Sequence, residues 1–178
     1  DFLARLAAQP AVAFHEGGVA SAVGNILEEL ELGYREDLYG NIIAKVPGSQ
    51  PDCAPLALVA HTDHPGFEAV DTHEGYLVCE ASGGIPPASF EAGVPLLVVL
   101  AGGERLRAVT AGRHGEQDQR QTLAQLAELQ HLQHLNLPRP VVFDLPDFQI
   151  DGELIRMRAA DDLAGCGAIL AALSQLAS

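Results

Sequence analysis

Positive charge is scarce in this chain: 10 Lys and Arg stand against 24 Asp and Glu, a formal net charge of −14 over 178 residues. A surface of that sign repels phosphate backbones and anionic headgroups, so neither nucleic acid nor a membrane is expected as a partner. Long hydrophobic runs are missing as well. The longest, such as Val94-Pro95-Leu96-Leu97-Val98-Val99-Leu100-Ala101, fall far short of the roughly 20 residues that a helical span needs. No basic segment followed by an apolar core opens the sequence, so no secretory signal is read there. The first residue is Asp1 instead of Met, and a start upstream is expected. The three cysteines, Cys53, Cys79 and Cys166, are odd in number and widely spaced. They form neither a zinc knuckle nor a disulfide framework, which points to a reducing, cytoplasmic setting. A Gly-x-Ser-x-Gly elbow, a Gly-rich phosphate loop and a Cys/His nucleophile pair are all absent.

What is present is globular: 48% hydrophobic residues with 19% charged belong to a folded domain. Residues 2–9 read as a short helix stopped before Pro10. Val19, Val23, Ile26, Leu27 and Leu30 keep helical spacing over 16–32, with Gly33 as the C′ residue. Residues 34–37 and 41–46 read as a hairpin around Tyr39-Gly40. Residues 55–60 form a continuous apolar run of the kind buried on both faces of a parallel sheet. Beyond Asp63, short strand-like runs at 66–70, 76–79, 96–100, 106–109 and 141–144 are broken by Gly and Pro, the texture of a small barrel or sandwich. Within it, Leu123, Leu126, Leu129 and Leu132 lie three apart, and 116–135 reads as a surface amphipathic helix. A strand at 154–158 and a helix over 163–176 close the chain. The expected plan is an α/β domain (1–69 and 150–178) interrupted by a β-barrel-like insertion (70–149).

The chemistry gathers at two places. Leu58-Val59-Ala60-His61-Thr62-Asp63 ends an apolar run on a His-x-Asp, and Ala160-Asp161-Asp162-Leu163-Ala164-Gly165 sets an acidic pair at the mouth of an apolar segment. Open α/β sheets bind ligands at the carboxyl ends of their strands, which is where His61 would stand. Imidazole suits zinc or cobalt, and Asp63 can hold its other ring nitrogen. Asp161 supplies a hard oxygen that can bridge two cations, so the three residues read as half of a two-metal hydrolase site. Asp162 reads as a helix-start acid. His131 and His134 lie one turn apart in a Gln-rich stretch and read as a solvated face, as do Glu28 and Glu29. His15-Glu16 opens the long helix. Nothing in the spacing of His64 or His73 requires them at the site.

These stretches resemble the co-catalytic metallo-aminopeptidases, the group that includes the tetrahedral, glutamyl and leucyl aminopeptidases. Asp37-Leu38-Tyr39-Gly40-Asn41-Ile42-Ile43-Ala44 resembles that family's Asp-x-x-Gly-Asn-x-x-Ala strand. Ala60-His61-Thr62-Asp63-His64-Pro65-Gly66-Phe67 is similar to its Ala-His-Met-Asp-Glu-Ile-Gly-Phe. Val141-Val142-Phe143-Asp144 and Asp161-Asp162-Leu163-Ala164-Gly165 resemble the stretch leading into its Asp-Asp-Arg-x-Gly. The resemblance implies a zinc-peptidase-like α/β domain with an inserted β-barrel dimerisation domain. It implies two divalent ions, zinc or cobalt, with His61 on one, Asp161 bridging both through a residue joined to the next by a cis peptide, and Asp63 orienting His61 as the catalytic carboxylate. It further implies peptide substrates shortened from their N-termini, and a homo-oligomer built through the insertion. Glu-Ile is replaced by His64-Pro65, and the Arg after the acidic pair by Leu163. The family's catalytic Glu-Glu pair, a further ligand Asp and a last ligand His all follow the bridging Asp, whereas this sequence stops at Ser178. The expectation is a fragment, inactive alone. Two rival readings stay open: a related deacylase or carboxypeptidase with the same metal architecture, and a non-catalytic oligomerisation module.

Overall fold

A computed structural model describes residues 2–50 and 53–177. In chain order it runs α1 (Phe2–Ala7), α2 (Gly17–Glu29), β1 (Tyr34–Glu36), β2 (Ile42–Ala44), β3 (Gly66–His73), β4 (Tyr76–Ser82), β5 (Pro95–Val99), β6 (Arg105–His114), β7 (Gln121–Leu126), β8 (Arg139–Phe143), β9 (Gln149–Asp151), β10 (Leu154–Arg156) and α3 (Ala160–Ala177). The fold is mixed α/β with a closed six-stranded barrel. Two compact units share it: Asp1–Ala11, Glu16–Asp63 and Pro146–Ser178 make one, Val12–His15 and His64–Leu145 the other. The boundary expected after residue 69 falls inside β3. That strand pairs with β4 on both sides of a register shift at Val70, so both of its halves belong to the barrel unit. Among the described residues, no helix is long and apolar enough to cross a membrane.

The first unit is a three-helix layer with two small hairpins. Leu6, Val19, Ile26, Leu27, Leu163 and Leu170 meet in its core, and each large aliphatic side chain buried there stabilises by roughly 1.5–3 kcal/mol. Helices α1 and α3 approach closely because Gly167 lacks a Cβ, which would lie 3.3 Å from Leu3. Helix α2 ends in a Schellman motif: Leu32 N–H donates to Leu27 O at 2.9 Å and Glu31 N–H to Glu28 O at 3.0 Å. The left-handed C′ residue is therefore Glu31, at φ 55°, and not Gly33. Leu32 packs back onto the helical core, and that contact selects the register of the motif over the more permissive glycine. Strands β1 and β2 pair antiparallel, and Asp37 ties their turn through Tyr39 and Asn41.

The apolar run 55–60 corrects another expectation. It forms no strand, and Leu56 and Val59 are 86% and 89% exposed. A doubly buried strand needs a paired neighbour on each edge, and no described strand lies beside this one. Only Ala60, at its end, packs against the helical core.

The barrel closes in the order β3-β4-β7-β6-β5-β8, with β8 returning to β3. Phe67 fills its centre, edge-on to Phe90 and to Phe143, each at 5.6 Å between centroids. Gly66 is required: a Cβ there would stand 2.6 Å from Val12 Cγ2 and 2.9 Å from Val141 O. The helix expected over 116–135 is instead β7 followed by a 3-10 turn, Leu129–His134. Thr122, Ala124 and Leu126 alternate inward, a period of two that the three-residue leucine spacing obscures. The Thr122 hydroxyl donates to Gly112 O at 2.8 Å, satisfying the carbonyl where the β6–β7 register shifts.

Candidate metal centre

The site lies in the first unit, built from two positions 100 residues apart in sequence. His61 follows the anchored Ala60, and the Cys166 thiol of α3 donates to its carbonyl at 3.4 Å. The imidazole is thereby set against the start of α3. Its Nε2 lies 3.1 Å from Asp161 Oδ1, while Nδ1 lies 3.0 Å from Asp63 O and 3.2 Å from Asp63 Oδ1. One ring nitrogen is thus held by Asp63 and the other directed at Asp161. Burial pulls the imidazolium's pKa down, but the hydrogen bonds to Asp161 and to the Asp63 carbonyl, with both carboxylate charges, leave it above the ordinary histidine value.

The two aspartates of the acidic pair part company. The Asp161 side chain is 95% exposed and reaches His61. Asp162 turns the other way: its Oδ1 accepts from Gly165 N–H at 3.2 Å, an N-cap to the helix. Both have non-helical backbone angles, and the peptide between them is cis, as the family resemblance implies. Gly165 completes the cap, because a Cβ there would run into the Asp162 carboxylate. Ahead of the pair, the almost fully buried Arg158 donates to Asp147, and Ala159 is buried in the helical core. That ion pair was not apparent in the sequence, since Arg158 and Asp147 are eleven residues apart with a hairpin between them.

The donor set fits a cation. Two ligands about 2.1 Å from a tetrahedral metal stand roughly 3.4 Å apart, close to the 3.1 Å between Nε2 and Oδ1. A carboxylate holding the far nitrogen of a ligating histidine is the usual supporting arrangement. The set is small, however: among the described residues, no group of three or more His, Cys, Asp or Glu converges as a metal cage.

The remaining candidates lie elsewhere. His64 is buried in the barrel unit, and its Nδ1 lies 3.0 Å from Pro65 O. His73 lies against His114, ring centroids 5.0 Å apart and planes tilted by 45°. His131, on the 3-10 turn, lies 3.5 Å from Glu128 on the surface. Glu29 pairs with Arg5 on the surface, and Glu28 accepts from Tyr34. His15-Glu16 does open the long helix, with Glu16 as the N-cap residue of α2, and His15 itself pairs with Glu68 at 2.6 Å.

No protein-family model matches the sequence. Solved structures do match its fold. An aminopeptidase from the archaeon Desulfurococcus kamchatkensis superposes with a TM-score of 0.81 at 19% identity, covering 98% of this chain and 51% of its own. The TET1 peptidase of Pyrococcus horikoshii, which can assemble into a tetrahedron or a large octahedral shell, gives 0.78 at 20% identity, covering 98% and 55%. A Thermotoga maritima protein described as an endoglucanase gives 0.77 at 22%, covering 97% and 54%. The chain therefore spans about half the length of the structures it matches and has the fold of the corresponding part of the TET aminopeptidases.

Proposed function

We propose that this segment supplies one metal ligand, the bridging carboxylate and an orienting carboxylate to a two-metal aminopeptidase of the polypeptide that contains it. The observation that carries the reading is the His61 Nε2–Asp161 Oδ1 approach at 3.1 Å, with Nδ1 held from behind by Asp63. His61 and Asp161 would hold the ions, zinc or cobalt, and these would polarise a scissile carbonyl and activate water. Asp63 would keep the proton on Nδ1, leaving the Nε2 lone pair for a cation held between it and Asp161; without a cation, Nε2–H donates to Asp161 instead. Asp162 spends its carboxylate on the helix and so leaves Asp161 as the free acid of the pair. With two ligands where zinc takes three or four from a protein, the segment alone should bind metal weakly and lack activity. Peptide substrates, cytoplasmic residence and a homo-oligomer built through the barrel belong to the same proposal; the peptidase neighbours, one of them a shell-former, support it.

The endoglucanase description of one neighbour favours a second reading, glycoside cleavage. That chemistry uses two carboxylates flanking a sugar, separated widely enough to act on opposite sides of one bond. Here Asp63 and Asp161 flank a single imidazole, an arrangement for holding a cation. The test is to assay the complete polypeptide on short peptides and on cellulose oligomers, before and after chelation, with elemental analysis of the dialysed protein. Chelator-sensitive release of N-terminal residues is expected. Peptide hydrolysis that survives removal of all metal, or cleavage of glycans alone, would overturn the proposal.

A further inference from the structure

The barrel carries a feature that the metal centre does not use: a pocket of about 290 Å³ at the β6–β7 connection, lined by Arg113, His114, Gly115, Glu116, Arg120 and Gln121. Two of the chain's few cationic side chains lie together here, in a protein of formal net charge −14. Arg120 meets a neutral acceptor, while Arg113 shares its charge with one exposed carboxylate, Glu91. Arg120 donates Nη2 to a neutral acceptor, Gly83 O, at 2.6 Å. Arg113 donates Nη2 to Pro87 O at 2.8 Å and pairs through Nε with Glu91 at 3.4 Å, its Cζ 4.9 Å from the centre of the Phe90 ring. These contacts orient both side chains along the turn. The neighbouring carboxylates are already engaged: Glu116 accepts from Gln119 N–H in a capping box, and Glu80 accepts from Gln121 Nε2 at 2.8 Å. Gly115, at φ 68°, makes the tight turn possible, since a Cβ would collide with the Gln119 amide.

We propose that this pocket is an oxyanion site, binding the phosphate or carboxylate group of a small metabolite between Arg113 and Arg120. Rigid guanidinium forks match such groups through paired N–H···O bonds, and the volume sits near the lower end of small-ligand pockets. The site is independent of the metal centre and of any peptidase activity.

The test follows backbone amide resonances of the 178-residue chain as inorganic phosphate, and separately succinate, is added at constant ionic strength. Saturable shifts at Gly115 and Gln121 are expected with at least one of them; phosphate alone assigns a phosphate ester, succinate alone a carboxylic acid. Arg113→Gln with Arg120→Gln should weaken binding by about tenfold or more, the scale of losing charge-assisted bonds. Should that double variant unfold, Glu116→Gln serves instead: it keeps the cap acceptor, removes the one acid lining the pocket and should tighten binding. Shifts reproduced by sodium chloride, shifts unchanged in a folded double variant, or an affinity indifferent to Glu116→Gln would overturn the assignment.

Discussion

Replacing Asp161 with Asn removes the negative charge beside His61 Nε2 but leaves a side chain of the same size on an exposed position. In the complete polypeptide this should abolish peptidase activity, while the metal-free thermal midpoint stays close to the parent's, because an exposed pair contributes about 0–1 kcal/mol. Asp162 should behave in the opposite way: Asp162→Asn keeps a good cap and is mild, while Asp162→Ala costs about 1 kcal/mol. An active Asp161→Asn enzyme would return that residue to an ordinary helix start. The thiols give a second residue-scale outcome. Burial pushes the Cys79 thiol up to about 12, and burial with the Asp162 charge pushes Cys166 to about 11. Only the exposed Cys53 should react with a thiol reagent in the folded chain, the other two on unfolding; fast labelling of Cys79 would contradict the barrel packing. A third concerns Asp37, whose carboxyl is held below the ordinary range by the Asn41 side chain and the Tyr39 and Asn41 N–H groups. A depressed folded pKa means its stabilisation is complete above the unfolded pKa and fades as pH falls through the folded one. Amide shifts of Tyr39 and Asn41 should report that loss at acid pH and become pH-independent in Asp37→Asn.

Among the elements, Glu31 and Gly66 allow opposite interventions. Glu31 holds a left-handed backbone that glycine adopts freely, so Glu31→Gly should stabilise the chain by up to about 1 kcal/mol in urea unfolding. Gly66→Ala should destabilise by about 1–3 kcal/mol, since Val12 and a backbone carbonyl occupy the space of the added methyl. These two sites also show where sequence reading succeeds and fails. The helices were legible because their burial follows a 3.6-residue period, and so were five of the barrel strands, each bounded by turn residues. Strand β7 was not: its inward Thr122 is polar, and leucines three apart along it and the following turn imitate a helix. The site residues were legible because His61-x-Asp63 and Asp161-Asp162 are local patterns. The Arg158–Asp147 pair was not, since its partners meet only in the folded chain. The run 55–60 was misread for a different reason: hydrophobicity states that a segment can be buried, and the element that would bury it is not among those described.

For the whole molecule, the barrel bears on assembly. If it builds the proposed homo-oligomer, replacing residues 64–145 with a short Gly/Ser linker should reduce the sedimenting species to monomers, while the three-helix layer keeps its helical circular dichroism. Unchanged assembly would place the interface in the other unit. The pairing of β3 with β8, with Phe67 opposite Val141, has a consequence for the order in which the chain finds its structure. His61 and Asp161 can meet only if an excursion of about 80 residues is brought back on itself. Most of the barrel's contacts lie within that excursion, and closing β8 onto β3 sets its two ends side by side. Once the barrel has formed, the open loop between the halves of the metal centre shrinks from about 100 residues to about 25, the stretches on either side of the Phe67–Val141 pair. The logarithmic dependence of closure entropy on length then spares the remaining step about 1 kcal/mol. A barrel that closes first would thus act in time as well as in space, as an internal splint that shortens the search by which the two carriers of the chemistry find each other.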